Sequence, residues 1–248
     1  MRENLARAYE FLARGDMGGT RLTESPFGRA VYTEELPRRL DGNYLWIDRA
    51  GEPEELVAEA ERLQRRLIFV PDPELGDRLA PWFERHGWRI DRHLVMAQLR
   101  DPERQADLAL VRKVDERDVR EARRQVVGHH PWATPEVLAQ NFAAKGMIAE
   151  RVRTSFFAVV VDGEVVSYAD LYQDGADAQV EDVGTVPHQR GHGYASAVVL
   201  AAIAEARRAG AEFVFLVADA DDWPKELYRR LGFDGIGHYT KFFAPNTA

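Results

Sequence analysis

The sequence predicts an α/β fold built on a mixed sheet, and three observations carry that expectation. Short runs rich in Val, Ile, Leu and Phe alternate with segments of helical period along the whole chain. The 248 residues, 45% hydrophobic and 30% charged, are globular in composition and enough for one large domain or two small ones. There is no cysteine, so disulfides, thiolate metal sites and cysteine nucleophiles are excluded and the core must hold by packing. A net charge of −8, from 33 Lys+Arg against 41 Asp+Glu, argues against nonspecific nucleic-acid binding and leaves room for a local basic patch. The charged N-terminus and an apolar run at 195–204 only about half a membrane span in length lead us to expect a cytoplasmic protein without nucleic-acid or membrane partners.

In the first half, Leu5 to Ala13 reads as a helix stopped by Gly15 and the Gly18-Gly19 pair. Arg29 to Glu34 and Tyr44 to Ile47 read as strands separated by Pro37 and the Asp41-Gly42 turn signal. Glu52 to Arg66 is helical, with Leu56, Ala60 and Leu63 on one face, and Leu67 to Val70 is a buried strand. Leu75 to His86 is a second helix, ended by Gly87, and Leu94 to Leu99 a closing strand. The polar stretch Asp101 to Gln105 sets the expected boundary between domains 1–104 and 105–248.

In the second half, Leu108 to Val111 reads as a strand and Asp118 to Val127 as a helix. A further helix runs from Thr134 to Arg151, with Thr134 as N-cap and Pro135 in the first helical position. Phe156 to Val161 and Val165 to Tyr172 form a hairpin around Asp162-Gly163. Gln179 to Val186 is a strand ended by Pro187. Gly191 to Ala209 is the strongest helix, with Ala195, Val198, Val199, Ala202 and Ala206 on one stripe. Phe213 to Val217, Trp223 to Arg230 and His238 to Phe243 complete a strand, a short helix and a last strand. The element order and the segments Trp82 to Trp88 and Leu227 to Phe233 echo each other between the halves.

The stretch Pro187-His188-Gln189-Arg190-Gly191-His192-Gly193-Tyr194-Ala195 is the most informative. A strand stops, a loop follows, and a helix opens at two alternating glycines. The first amides of a helix lack partners within it, and the helix dipole favours an anion there. Glycine lets an anion approach the backbone, and Arg190 adds a full charge. The bare pattern also fits a glycine-rich turn that only starts a helix. A P-loop would need Gly-Lys-Ser/Thr, and a dinucleotide fingerprint a glycine where Ser196 stands.

Arg190-Gly191-His192-Gly193-Tyr194-Ala195 resembles the R-x-x-G-x-A motif of the GNAT N-acetyltransferase superfamily, and Leu227-Tyr228-Arg229-Arg230-Leu231-Gly232-Phe233 is similar to its second segment. The resemblance covers about 107–248 and is faint over 1–100. It implies the GNAT acyl-CoA N-acyltransferase fold for the second half and acetyl-CoA as co-substrate; no metal is expected, because neighbouring histidines such as His129 and His130 rarely reach one ion and no ligand spacing supports a third. On this resemblance, the backbone of Val183, Gly184 and Thr185 would pair with the pantetheine arm. Gly191, His192, Gly193, Tyr194 and Ala195 would offer amides to the pyrophosphate beside Arg190. Asp221 stands where the family often has Asn, and a carboxylate cannot donate as an amide does. In the first half, Arg49 to Glu55 occupies the corresponding place, and its carboxylates would repel a pyrophosphate. A degenerate GNAT-like first half without a CoA site is therefore expected.

Transfer of an acetyl group to a primary amine of a small molecule or protein needs a neutral amine, a stabilised oxyanion and a protonated leaving thiolate. Tyr228 is the candidate acid, since a phenol stays protonated at neutral pH; the same ring could also be plain core. Glu181 is favoured over Asp182 as base for its reach; on a strand the two face opposite sides. Solvation of both or their pairing with nearby arginines is one alternative, and an ordered-water relay without a dedicated base is another. A backbone N–H near Val183 would meet the oxyanion, as the resemblance implies. His129-His130-Pro131-Trp132, and Tyr168, Asp170 and Tyr172 on one strand face, either line the acceptor pocket or lie in solvated structure. A noncatalytic acyl-CoA-binding or partner-binding module is the competing function, and monomer or homodimer is the expected assembly.

Overall fold

The computed structural model describes residues 2–15, 17–128 and 130–245. Contacts divide the chain into two compact units. The first holds residues up to 95, then 218–222 and those from 235 on; the second holds 96–217 and 223–234.

The first unit opens with α1 (Arg2–Arg14), which buries Ala8, Phe11 and Leu12. Strands β1 (Arg21–Ser25), β2 (Gly28–Tyr32) and β3 (Leu45–Ile47) follow, then α2 (Pro53–Arg62), β4 (Leu67–Val70) and α3 (Pro73–Arg85). β1 pairs β2 and β2 pairs β3 antiparallel, whereas β3 and β4 are parallel because α2 carries the chain back between them. All four residues of β4 are buried, as an apolar run covered on both faces requires. Leu56, Ala60, Leu75, Leu79 and Phe83 bring the two helices onto Leu45, Ile47, Ile68 and Val70 in one core cluster. β5 (Arg89–Gln98) starts in this unit and ends in the other.

In the second unit, β6 (Val111–Val114) precedes α4 (Glu116–Val127) and α5 (Pro135–Ala149). Thr134 caps α5 by accepting the Val137 N–H at 3.3 Å, as its sequence predicts. β7 (Arg153–Val161) and β8 (Glu164–Asp174) form the hairpin, turning on Asp162 and Gly163 at φ +51° and +86°. β9 (Asp177–Thr185) pairs β8 antiparallel; β6 pairs β7 antiparallel. α6 (Tyr194–Arg208) packs on β7, β8 and β9 through Val198, Val199, Ala202 and Ala206, all fully buried. β10 (Phe213–Asp219) runs parallel to β9, and α7 (Pro224–Arg230) and β11 (Phe233–Phe243) end the chain's regular structure.

Several expectations need correction. β1 was not legible as a strand. Leu108 to Leu110 is a 3-10 turn capped by Asp107, which accepts the Ala109 N–H at 2.9 Å, and the strand lies just beyond it. The units part at 95/96 rather than 104/105, and residues 235–243 of β11 belong to the first unit, where they pair β4 antiparallel. Among the described residues no helix is long and apolar enough to cross a membrane.

Candidate acyl-donor site

The strand β9 is where the second unit departs from regular geometry. Its parallel ladder with β10 covers only Asp177 to Val180 against Phe213 to Leu216. Its antiparallel ladder with β8 continues to Thr185. Beyond Val180, β9 therefore keeps one partner strand in the ladder and turns an edge of backbone groups away from it. The register explains the departure. Glu181 lies opposite Asp170 and Gly184 opposite Tyr168, so Asp182 and Val183 together face Ala169. That is a β-bulge, and Asp182 sits in it at φ +49°, a left-handed conformation that Asp tolerates better than most residues.

Gly184 is buried in the ladder, and a Cβ there would overlap the Tyr168 ring. Its carbonyl accepts the Ser167 hydroxyl at 2.9 Å. Val183 and Thr185 are half-buried. Glu181 is half-buried too, and Gln179 donates its amide to the Glu181 carboxylate.

The turn after β9 is built as its sequence implies, with the helix opening later than expected. Pro187 to Gln189 is one 3-10 turn, and Gly191 and Gly193 lie at φ +85° and +83° before α6 begins at Tyr194. A side chain on either glycine would be strained, and the space a Cβ at Gly191 would take has no atom within 4 Å. Gly193 is the N-cap and offers no capping side chain. α7 likewise has no side-chain cap at Trp223, whereas α2, α3 and α4 differ. Glu55 accepts the Glu52 N–H of α2 at 3.2 Å, Asp72 the Leu75 N–H of α3 at 2.8 Å, and Asp118 the Asp115 N–H of α4 at 2.9 Å. α6 thus leaves its first amides to be met from outside, while α2, at the corresponding place in the first unit, closes its own N-terminus with carboxylates.

Around this turn, Arg190 is exposed and its Nε donates to the Thr185 carbonyl at 3.3 Å. The exposed His192 ring contacts the Gln189 carbonyl through Nδ1 at 3.2 Å and stacks with Tyr194 at 5.5 Å between centroids. Tyr194 and Ala195 are half-buried. Ser196 is buried with no hydrogen-bond partner for its hydroxyl among the described residues. The chain thus joins Val183, Gly184 and Thr185 to the turn through only a few residues.

Tyr228 lies on α7, 8% exposed, with its ring edge-on to Phe233 at 6.3 Å. Asp221 is exposed, donates its N–H to the Asp219 carboxylate at 2.8 Å, and falls in the 218–222 segment that belongs to the first unit. His129 lies outside the described residues; His130 and Trp132 stack at 5.5 Å.

Sequence reasoning offered arginine pairing of Glu181 and Asp182 only as an alternative, and did not foresee the buried ionic network in which Asp182 takes part. Arg123 of α4 and Lys145 of α5 face Asp170 of β8 and Asp182 of β9. Arg123 pairs with Asp170, with Asp182 at 2.8 Å and with Glu116 at 3.3 Å. Lys145 Nζ reaches Asp170 at 2.9 Å and Asp182 at 3.2 Å, and donates to the Tyr172 hydroxyl at 2.7 Å, which in turn donates to Asp170 at 3.0 Å. Burial raises the Asp170 carboxyl, and Lys145 and Arg123 only partly counter it. Burial also opposes ionisation of Asp182, but there the two cations win and hold it below the usual carboxylate range. Lys145 and Arg123 are raised by the same carboxylates in spite of burial. The face shared by Tyr168, Asp170 and Tyr172 is accordingly buried, 1% exposed or less at each residue, and not solvated. One signal was available: Arg123 follows Val119 and Ala122 on the apolar stripe of α4, where an unpaired charge would be costly.

Comparison with known proteins fits this geometry. The acetyltransferase (GNAT) family matches residues 118–233. A crystal structure of a conserved protein of unknown function from Staphylococcus epidermidis aligns over 93% of this chain and 95% of its own, at TM-score 0.70 and 14% identity. A GCN5-related N-acetyltransferase from Kribbella flavida aligns over 98% and 96%, at TM-score 0.63 and 19% identity. A GCN5-related N-acetyltransferase from Sphaerobacter thermophilus aligns over 76% of this chain at TM-score 0.54 and 21% identity. The chain spans 64% of the length of that protein, and 64% of a Novosphingobium aromaticivorans chain that it matches at 22% identity. The likenesses at TM-scores of 0.54 to 0.70 give the fold. No curated protein matches the sequence. Among the described residues no group of three or more His, Asp or Glu side chains is placed to hold a metal ion.

Proposed function

The chain carries an acetyltransferase (GNAT) family domain over residues 118–233, and from that premise we propose that it moves an acetyl group from acetyl-CoA to a primary amine by direct transfer. The observation that carries this reading is the opening of α6: two left-handed glycines, no capping side chain and an adjacent Arg190. An anionic diphosphate satisfies those amides and the helix dipole together. Acetyl-CoA fits the neighbouring strand as well, since among the described residues the ladder of β9 with β10 stops at Val180 and an amide-bearing arm can add along the edge beyond it as a strand does. When bound, acetyl-CoA supplies an activated acyl group and a thiolate leaving group.

The chain's own residues supply the rest. Val183, Gly184 and Thr185 orient the arm. Gly191 to Ala195 and Arg190 hold the diphosphate. Glu181 takes the proton that the attacking amine must lose, because Asp182 is committed to Arg123 and Lys145. Tyr228 gives a proton to the departing sulfur. A backbone N–H beside the bulge meets the developing oxyanion. The acceptor is a small-molecule or protein amine. We extend the reading to the first unit, taken as a degenerate GNAT-like half without a CoA site, since carboxylates close the start of α2. With no membrane-crossing helix among the described residues, a cytoplasmic location is part of the same proposal.

Calorimetry with acetyl-CoA tests this directly. Binding in the micromolar range is expected, and Arg190→Glu combined with Gly193→Asp should weaken it by at least about tenfold, or about 1.4 kcal/mol. Tyr228→Phe should then lower kcat on an amine panel while leaving the affinity for acetyl-CoA nearly unchanged. No binding of acetyl-CoA at high micromolar concentration would sink the assignment.

A further inference from the structure

We propose that Arg123 and Lys145 act as a buried ionic clamp that positions the β9 bulge, and through it the backbone of Val183 to Thr185, for the acyl donor. This inference rests on the acetyl-CoA reading and adds positioning residues to it.

The bulge is held from both sides of Val183. On one side, both cations grip Asp182 through the same oxygen, Oδ2, at 2.8 Å from Arg123 and 3.2 Å from Lys145. The same two cations grip Asp170, which stands on β8 opposite Glu181. The clamp therefore ties the bulged strand to its neighbour at the point where the register slips. On the other side, the Arg123 guanidinium lies 5.2 Å from the centroid of the Tyr168 ring. That ring fills the space a side chain at position 184 would need. Charge fixes Asp182 and packing fixes Gly184, so the intervening peptide has little freedom.

The physical need for such a device is clear. A residue in the left-handed region inside a strand relaxes toward ordinary extended geometry unless its surroundings over-determine it. Relaxation here would restore regular pairing with β8 and rotate the 181–185 edge. A charge-assisted network of two cations from separate helices is a strong restraint where water is scarce. Nothing in ordinary folding of the strand requires both cations to meet at Asp182, whose side chain is 29% exposed and would be solvated without them.

Two variants at one position separate charge from backbone conformation. Asp182→Asn keeps the shape and the tolerance for positive φ but removes the charge. Asp182→Gly favours the conformation further and removes every side-chain bond. Asp170 remains to pair both cations in each case. The clamp predicts that both variants bind acetyl-CoA about fivefold or more weaker than the wild type, with unfolding midpoints lowered by the lost pairing but transitions still cooperative. Amide exchange at 183–185 should speed up while that of α6 stays unchanged, which a merely structural loss would not produce. Weakening of less than fivefold in either variant would overturn the clamp. If neither variant folds, exchange in the unliganded wild type decides: 183–185 should exchange as slowly as 168–171, and exchange at the rate of exposed loops would overturn it. A wild type that fails to bind acetyl-CoA would remove the function proposed above, and the exchange data would still judge the clamp.

Discussion

Gly184 links the packing of the second unit to the proposed acyl-donor site through one missing side chain. A methyl group there would overlap the Tyr168 ring, which is 1% exposed and has no room to retreat. Gly184→Ala should therefore destabilise the second unit by about 2 kcal/mol, within the range for overpacking a tight core. It should also weaken acetyl-CoA binding. Denaturant unfolding and calorimetry on the same variant check both, and an unchanged midpoint would show that Tyr168 yields. His93, on β5, makes a pH prediction. Its ring stacks on Tyr239 at 4.9 Å, and its Nε2 is buried without a partner among the described residues. Burial first, and then Lys241 and Arg89, push its pKa down to about 3, with Asp41 opposing. The unfolded chain thus binds a proton that the folded chain refuses between its ordinary pKa, about 6.5, and about 3. Stability should fall as pH drops through that window, by up to about 1.4 kcal/mol per pH unit from this group. Asp41, held below its ordinary range by Lys241 and Arg39 against the pull of burial, adds a loss of the same sign at lower pH. His93→Phe should flatten the dependence between pH 6.5 and 4.5 when unfolding is followed by tryptophan fluorescence.

At the scale of elements, what could be read from sequence was whatever depends on neighbours along the chain. β4 is found at Leu67–Val70 as expected because a short apolar run between turn signals has few alternatives. The Asp162-Gly163 hairpin and the Thr134 cap are local chemistry, and both stand in the structure. The glycine pair before α6 was legible for the same reason, since positive φ and a bare helix start are properties of a few consecutive residues. β1 escaped because it is a mostly exposed edge strand, Arg-Leu-Thr-Glu-Ser, with Leu22 facing outward, and nothing in its pattern marks a buried face. The ionic network escaped for the opposite reason. Arg123 and Asp170 are 47 residues apart, and a pairing across α4 and β8 leaves no trace in either segment alone. The bulge also escaped. Strict alternation along β9 put Glu181 and Asp182 on opposite faces, and one inserted residue in the register changes that geometry without changing the hydrophobic pattern.

The whole molecule adds a constraint that neither half reveals. The last strand follows the elements of the family match in sequence, so it read as part of the second half, yet residues 235–243 complete the first unit. Thr240 to Phe243 pair Val70 to Leu67, and Phe242 stacks on Phe83 at 4.3 Å inside the first unit's core. Tyr239 packs on Phe69 at 4.6 Å, Lys241 pairs with Asp41 at 2.5 Å, and the Tyr9 hydroxyl donates to the His238 carbonyl at 2.9 Å. Ile236, Tyr239, Phe242 and Phe243 are each under 9% exposed. At about 1.5–3 kcal/mol for each large buried side chain, their removal costs on the order of 6–12 kcal/mol. That is comparable to the entire stability of a domain, about 5–15 kcal/mol. Truncation after Asp234 should therefore abolish cooperative folding of the first unit, although residues 1–95 are all present. Near-ultraviolet circular dichroism and limited proteolysis check this: the region before residue 95 should lose its fixed aromatic signal and become cleavable. A truncated chain that still unfolded cooperatively, with 1–95 protected, would mean that β4 finds sufficient cover without its C-terminal partner.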